Sequence, residues 1–243
     1  MGTPCKAAGG TWFKPVLLLL LLSAAAYAQS DSAWMFRYPE TGQGDYQPLA
    51  SFVDDTGYVY VAGWKGEWGK HLDMFLIKVD SLGRLVWTRG YDSLEAVGAA
   101  RDTCGNTYIA GDQEGGRVCL MKYGPDGDMK WFAICGRTAQ RAAALHGVAI
   151  DDSQNVYVGA LSWSASNNII HILKYRPNGT LAGEVSSQLH QRAILLEDRF
   201  HVLDNGDVYL VTNSERPDSS ALGDYDWFAA KLSGAHRVFV WVV

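Results

Sequence analysis

Four lysines at equivalent places are the first residues to weigh as chemistry. Lys78, Lys122, Lys174 and Lys231 are 44, 52 and 57 residues apart, each on an apolar stretch, as in "DMFLIKV" and "RVCLMKY". A ring of ammonium groups would make an anion site. Repetition in every unit instead points to structure, with the stem along apolar neighbours and the ammonium reaching water at the sheet edge. The six histidines, His71, His146, His171, His190, His201 and His236, show no metal-ligand spacing. His171 falls in a slot that other units fill with Phe75, Cys119 and Phe228, and reads as a packed or edge histidine. The acidic turns "DDTG", "PDGD" and "DNGD" lack the alternating oxygen ligands of a calcium loop. No G-x-S-x-G, H-E-x-x-H or phosphate-loop motif occurs, so neither catalytic residues, a metal nor a cofactor is expected.

Aromatic residues in variable loops are the better candidates. "WKGEWGKHLD" carries Trp64, Trp68 and His71, and corresponding loops carry Trp163 and Tyr225. Rings with polar tips suit protein interfaces and sugar faces. The competing reading is that they pack on a neighbouring sheet.

The elements that position these residues repeat. Tyr60, Tyr108, Tyr157 and Tyr209 recur at steps of 48, 49 and 52 in strands such as "YVYVAG" and "TYIAG". Each follows an Asp- and Gly-rich turn, and the lysine strand comes next. Five residues past the first three lysines stand Gly83, Gly127 and Gly179. Nine past the first two stand Trp87 and Trp131, where the third unit has Gly183. Asp, Asn and Gly tolerate the positive φ of tight hairpins, and Val, Ile, Tyr and Phe suit a buried pleated surface. Four antiparallel strands per unit of 40–50 residues describe a blade. The fold expected is an all-β propeller of four-stranded antiparallel blades, about four present, in units of about 34–86, 87–130, 131–182 and 183–243. "NGT" at 178–180 reads as a turn before it reads as a glycosylation sequon.

"HGVAIDDSQNVYVGA" and "DMFLIKVDSLGRLVW" resemble the repeat of a family of bacterial secreted proteins, the seven-bladed β-propeller repeats. The resemblance runs over about residues 34–241 and implies an extracellular scaffold without an assigned activity.

The first 28 residues stand apart. Lys6 and Lys14 precede an apolar run from Val16 to Ala26 and a small-x-small "AYA". This is the form of a signal peptide, with cleavage after Ala28 and residues 29–243 forming the propeller. The run is too short for a membrane span of roughly 20 residues. The formal charge of −5, more negative once two lysines leave with the leader, argues against nucleic acid and anionic membranes. Cys104, Cys119 and Cys135 form no CxxC pair and read as mostly reduced, in an extracellular or periplasmic protein.

"SAWMFRYPE" matches the outer strand "LVWTRGYDS", so the chain is expected to open with an outer strand of an incomplete ring. The function expected is a secreted scaffold that binds a protein or carbohydrate. The alternative is an extracellular hydrolase or lyase whose site spans blades absent from this chain.

Overall fold

Each tight turn is set by a hydrogen bond across four residues and one residue of positive φ. In the first, the Gly57 N–H donates to the Asp54 carbonyl at 2.9 Å, with Gly57 at φ 81°. The same bond and sign recur at Gly83, Gly105, Gly127, Gly179 and Gly206. The "NGT" segment is one of these turns, with Asn178 Oδ1 accepting from the Thr180 N–H at 3.1 Å.

The computed structural model describes residues 35–38, 45–67, 72–113, 117–135, 142–163, 168–189, 199–203, 206–215, 225–233 and 239–242. Their strands form four four-stranded antiparallel sheets in chain order, and no helix occurs among the described residues. The first holds β1 (Asp45–Val53), β2 (Val59–Gly66), β3 (Leu72–Val79) and β4 (Leu85–Tyr91). The second holds β5 (Leu94–Arg101), β6 (Thr107–Gln113), β7 (Arg117–Tyr123) and β8 (Met129–Cys135). The third holds β9 (Ala142–Ile150), β10 (Val156–Trp163), β11 (Asn168–Tyr175) and β12 (Leu181–Leu189). The fourth holds β13 (Arg199–Val202), β14 (Val208–Glu215), β15 (Tyr225–Leu232) and β16 (Phe239–Val242). These are propeller blades, the same repeat counted from its first strand.

First strands adjoin from sheet to sheet, β1 to β5, β5 to β9 and β9 to β13, so they form the inner side of the array. No contact of similar extent joins the fourth sheet to the first, so no closed ring forms among the described residues. In the first three sheets the middle strands are largely buried on both faces, as their unbroken apolar runs require. Tyr108, Ala110, Val118 and Leu120 of the second sheet pack on Val156, Val158 and Leu173 of the third. Ala62, Met74 and Leu76 of the first pack on Ile109, Cys119 and Met121 of the second.

In all four sheets the register between third and fourth strands shifts directly after the repeat lysine, at Lys78/Val79, Lys122/Tyr123, Lys174/Tyr175 and Lys231/Leu232. A bulge there re-aims the outer strand. Before it, Lys78 faces Trp87, Lys122 faces Trp131, Lys174 faces Gly183 and Lys231 faces Trp241.

The outer strand expected at the start of the chain is not formed over Met35–Tyr38. With no described partner strand beside it, this segment instead lays Phe36 and Tyr38 on the apolar face of Phe75, Ile77 and Val79. The Tyr38 and Tyr46 rings meet edge to face at 5.7 Å. Residues 1–34 lie outside the described residues.

Candidate functional site

The repeat lysines do not simply reach water. In three sheets a turn aspartate holds both its own turn and the repeat tyrosine. Asp102 accepts the N–H groups of Cys104 and Asn106 at 3.0 and 2.7 Å and the Tyr108 hydroxyl at 3.0 Å. Asp54 takes the Tyr60 hydroxyl and Asp151 the Tyr157 hydroxyl, both at 3.1 Å. The ammonium then sits over the tyrosine ring, at 5.0 Å for Lys78–Tyr60 and Lys122–Tyr108 and 4.8 Å for Lys174–Tyr157. Lys78 and Lys122 also donate to the next sheet, to the carbonyls of Pro125 (3.3 Å) and Pro177 (3.4 Å). In the fourth sheet Leu203 opens the turn, and Asp207 supplies the carboxylate, 2.8 Å from Lys231.

This arrangement leaves little for chemistry. Lys174 stays protonated to higher pH than an ordinary lysine: burial works against the charge, but the Tyr157 hydroxyl and the Asp151 carboxylate outweigh it. Hydrogen bonds to Asp207 and Tyr209 raise Lys231 likewise. A lysine held as ammonium is no nucleophile. Burial raises the Cys119 thiol to about 11, which makes it inert. Cys104 and Cys119 carry thiols and no disulfide.

The end opposite the acidic turns carries the aromatic candidates. Trp64 lies near the end of β2, half-buried, paired with Met74 on β3 and Gln47 on β1. Trp163 ends β10 opposite Asn168, and Tyr225 opens β15 opposite Glu215. Three sheets therefore bring an aromatic residue to the same rim. The side chains of Trp163 and Tyr225, and all of Trp68 and His71, lie outside the described residues. At this rim Lys65 pairs with Asp73 at 3.8 Å, and the Asp73 carboxylate accepts the Ser93 N–H at 2.9 Å, tying the hairpin to the second sheet.

One constellation escaped sequence reasoning. Ser162 Oγ lies 2.7 Å from His171 Nε2, and His171 Nδ1 lies 3.0 Å from Glu184 Oε1, a chain across β10, β11 and β12. Hydroxyl, imidazole and carboxylate in that order are the parts of a nucleophilic relay. Here Ser162 is 3% exposed and His171 8% exposed, so the hydroxyl meets packed side chains. The chain acts as a polar clip across three strands, and His171 is a packed histidine. The signal was the simultaneous change of two repeat slots, three residues before Lys174 and one after Gly183; the serine five after Tyr157 has a counterpart in Ser214.

No protein-family model matches this chain, and no curated protein matches it. Among the described residues no three of His, Cys, Asp and Glu group to hold a metal ion.

Proposed function

We propose that the protein is an exported, non-catalytic binding scaffold of the bacterial secreted propeller-repeat kind. Its rim of second-to-third-strand hairpins takes a protein or carbohydrate ligand. One observation carries this reading. The charged and aromatic groups shared by all sheets satisfy one another at the tight-turn end, whereas the opposite rim differs in every sheet. There β2, β6, β10 and β14 end on Gly66, Gln113, Trp163 and Glu215. Variable chemistry on a rigid repeated frame is where binding surfaces are placed. The leader-like first 28 residues support export, and no helix among the described residues is long and apolar enough to cross a membrane.

The test is a screen of glycans and cell-envelope proteins against the wild type and a Trp64→Ala, Trp68→Ala variant. A ligand bound by the wild type and lost from the folded variant supports the rim. A ligand held equally by both overturns it.

A further inference from the structure

The junctions between sheets are built alike, with one exception. At the first, the Trp87 indole of β4 packs against Gly127 in the third-to-fourth-strand turn of the second sheet. A Cβ added to Gly127 would come within 3.0 Å of Trp87 Cδ2 and Cε2. At the second, Trp131 of β8 packs against Gly179 in the same turn of the third sheet, and its N–H donates to the Pro177 carbonyl at 3.0 Å. Each indole also meets its own repeat tyrosine, with Tyr60–Trp87 centroids at 6.0 Å and Tyr108–Trp131 at 5.9 Å. At the third junction the residue facing the repeat lysine is Gly183.

A cavity of about 290 Å³ opens there, lined by Tyr157, Lys174, Arg176 and Gly183 of the third sheet and by Gly206 and Ser233 of the fourth. We propose that this space is a binding site for a small planar aromatic carboxylate, whose ring takes the position that a tryptophan side chain fills at the other two junctions.

Three features specify that ligand. The Tyr157 ring and the Lys174 ammonium above it are the same surface that Trp87 and Trp131 meet in their sheets, so the walls are shaped for a flat ring. The volume stands at the small end of ligand pockets, roughly 300–1,000 Å³, which suits one or two fused rings and excludes an oligosaccharide. The charge at the mouth is positive. Lys174 is shared with Asp151 at 3.4 Å, but Arg176 is exposed, and no described carboxylate lies within ion-pair distance of it. Glu184 lines the space too, yet its register with Leu173 turns its side chain to the opposite face, where His171 holds it.

The third sheet also breaks the repeat beside the cavity. Gln154 adopts φ 62° where the other first turns have glycine, and its Oε1 is buried without a hydrogen-bond partner in the structure. The next residue, Asn155, lines the cavity. Local rules broken together on one sheet mark a place where something other than packing sets the sequence. A glycine inside a strand marks close approach by a ligand or another backbone.

The experiment is calorimetric titration of the full folded chain with indole-3-acetate, indole and cyclohexylacetate as probes. The expected result is saturable binding of indole-3-acetate, with cyclohexylacetate at least tenfold weaker for want of a flat ring. Arg176→Ala should weaken indole-3-acetate about tenfold and leave indole within about twofold, because only the carboxylate loses its partner. Gly183→Trp should abolish binding and raise the melting midpoint by restoring the junction. Gly183→Leu serves the same purpose if the larger side chain prevents folding. The proposal is overturned by no saturable binding of indole-3-acetate up to about 10 mM. Unchanged binding in either folded Gly183 variant overturns it equally, as does equal loss of indole and indole-3-acetate in Arg176→Ala.

Discussion

The Trp131 indole of the second sheet packs against Gly179 of the third, and its N–H donates to the Pro177 carbonyl two residues earlier, at 3.0 Å. A side chain on one sheet thus reads the turn of the next. Gly179 meets two demands at once, a φ of 84° and no Cβ, since a Cβ would lie 2.8 Å from Trp131 Cδ2.

Gly179→Ala is expected to destabilise the protein by about 2–3 kcal/mol, combining left-handed backbone strain with a contact that forces the indole aside. Trp131→Ala should cost about 2–4 kcal/mol, at or below the value for a fully buried ring because this one is half-buried. The double variant should cost less than the sum, because the added methyl no longer meets an indole. Urea titration of the three variants measures the coupling.

Gln154 offers a change of the opposite sign. Its positive φ costs about 1–2 kcal/mol relative to an ordinary backbone, and its buried Oε1 adds to that. Gly57, Gly105 and Gly206 occupy this turn position elsewhere. Gln154→Gly should therefore raise stability by about 1 kcal/mol, after the larger unfolded-state entropy of glycine is offset. A lower urea midpoint would contradict this account of the turn.

Sheets and turns were legible because Tyr, Lys, Gly and Trp each answer one geometric need at a fixed place in the blade. The junctions were less so. Trp241 is the fourth sheet's counterpart of Trp87, yet it lies ten residues past Lys231 instead of nine, so spacing alone hides it until the strand register is seen. Asp207 replaces the turn-opening aspartate from the far end of its turn, which no alignment of turns would equate. Ser162, His171 and Glu184 are distant in the chain and meet only through the pairing of three strands. Of the candidate aromatic residues at the rim, only Trp64 has its side chain among the described residues.

Stability should depend on pH at both extremes. For Asp54, burial alone would raise the pKa. Hydrogen bonds from the Thr56 hydroxyl, the N–H groups of Tyr58 and Thr56 and the Tyr60 hydroxyl outweigh it and hold the carboxyl below its ordinary value. A carboxyl depressed on folding stabilises above its unfolded pKa, and that stability is lost as pH falls through the folded value. Asp54→Asn should thus be less stable than wild type at pH 7, with the gap closing below about pH 4. Tyr108 is shifted the other way, first by loss of water and then by the Asp102 charge. Its folded form keeps the proton longer, so stability should fall as pH rises above about 10. Tyr108→Phe should flatten that alkaline slope. Chemical denaturation across the pH range reads both effects.

Amide hydrogen exchange, resolved by residue, tests the architecture most directly. In a blade of this order the second and third strands are paired on both edges and covered on both faces. The slowest amides should therefore lie in β2, β3, β6, β7, β10 and β11, as in Tyr108, Ile109, Leu120 and Leu173, which are at most 2% exposed. The alternate outward amides of β4, β8 and β12 should exchange much faster. Slowest exchange in those outer strands, or equal protection along all four strands of a sheet, would contradict a propeller built from its first strand outward.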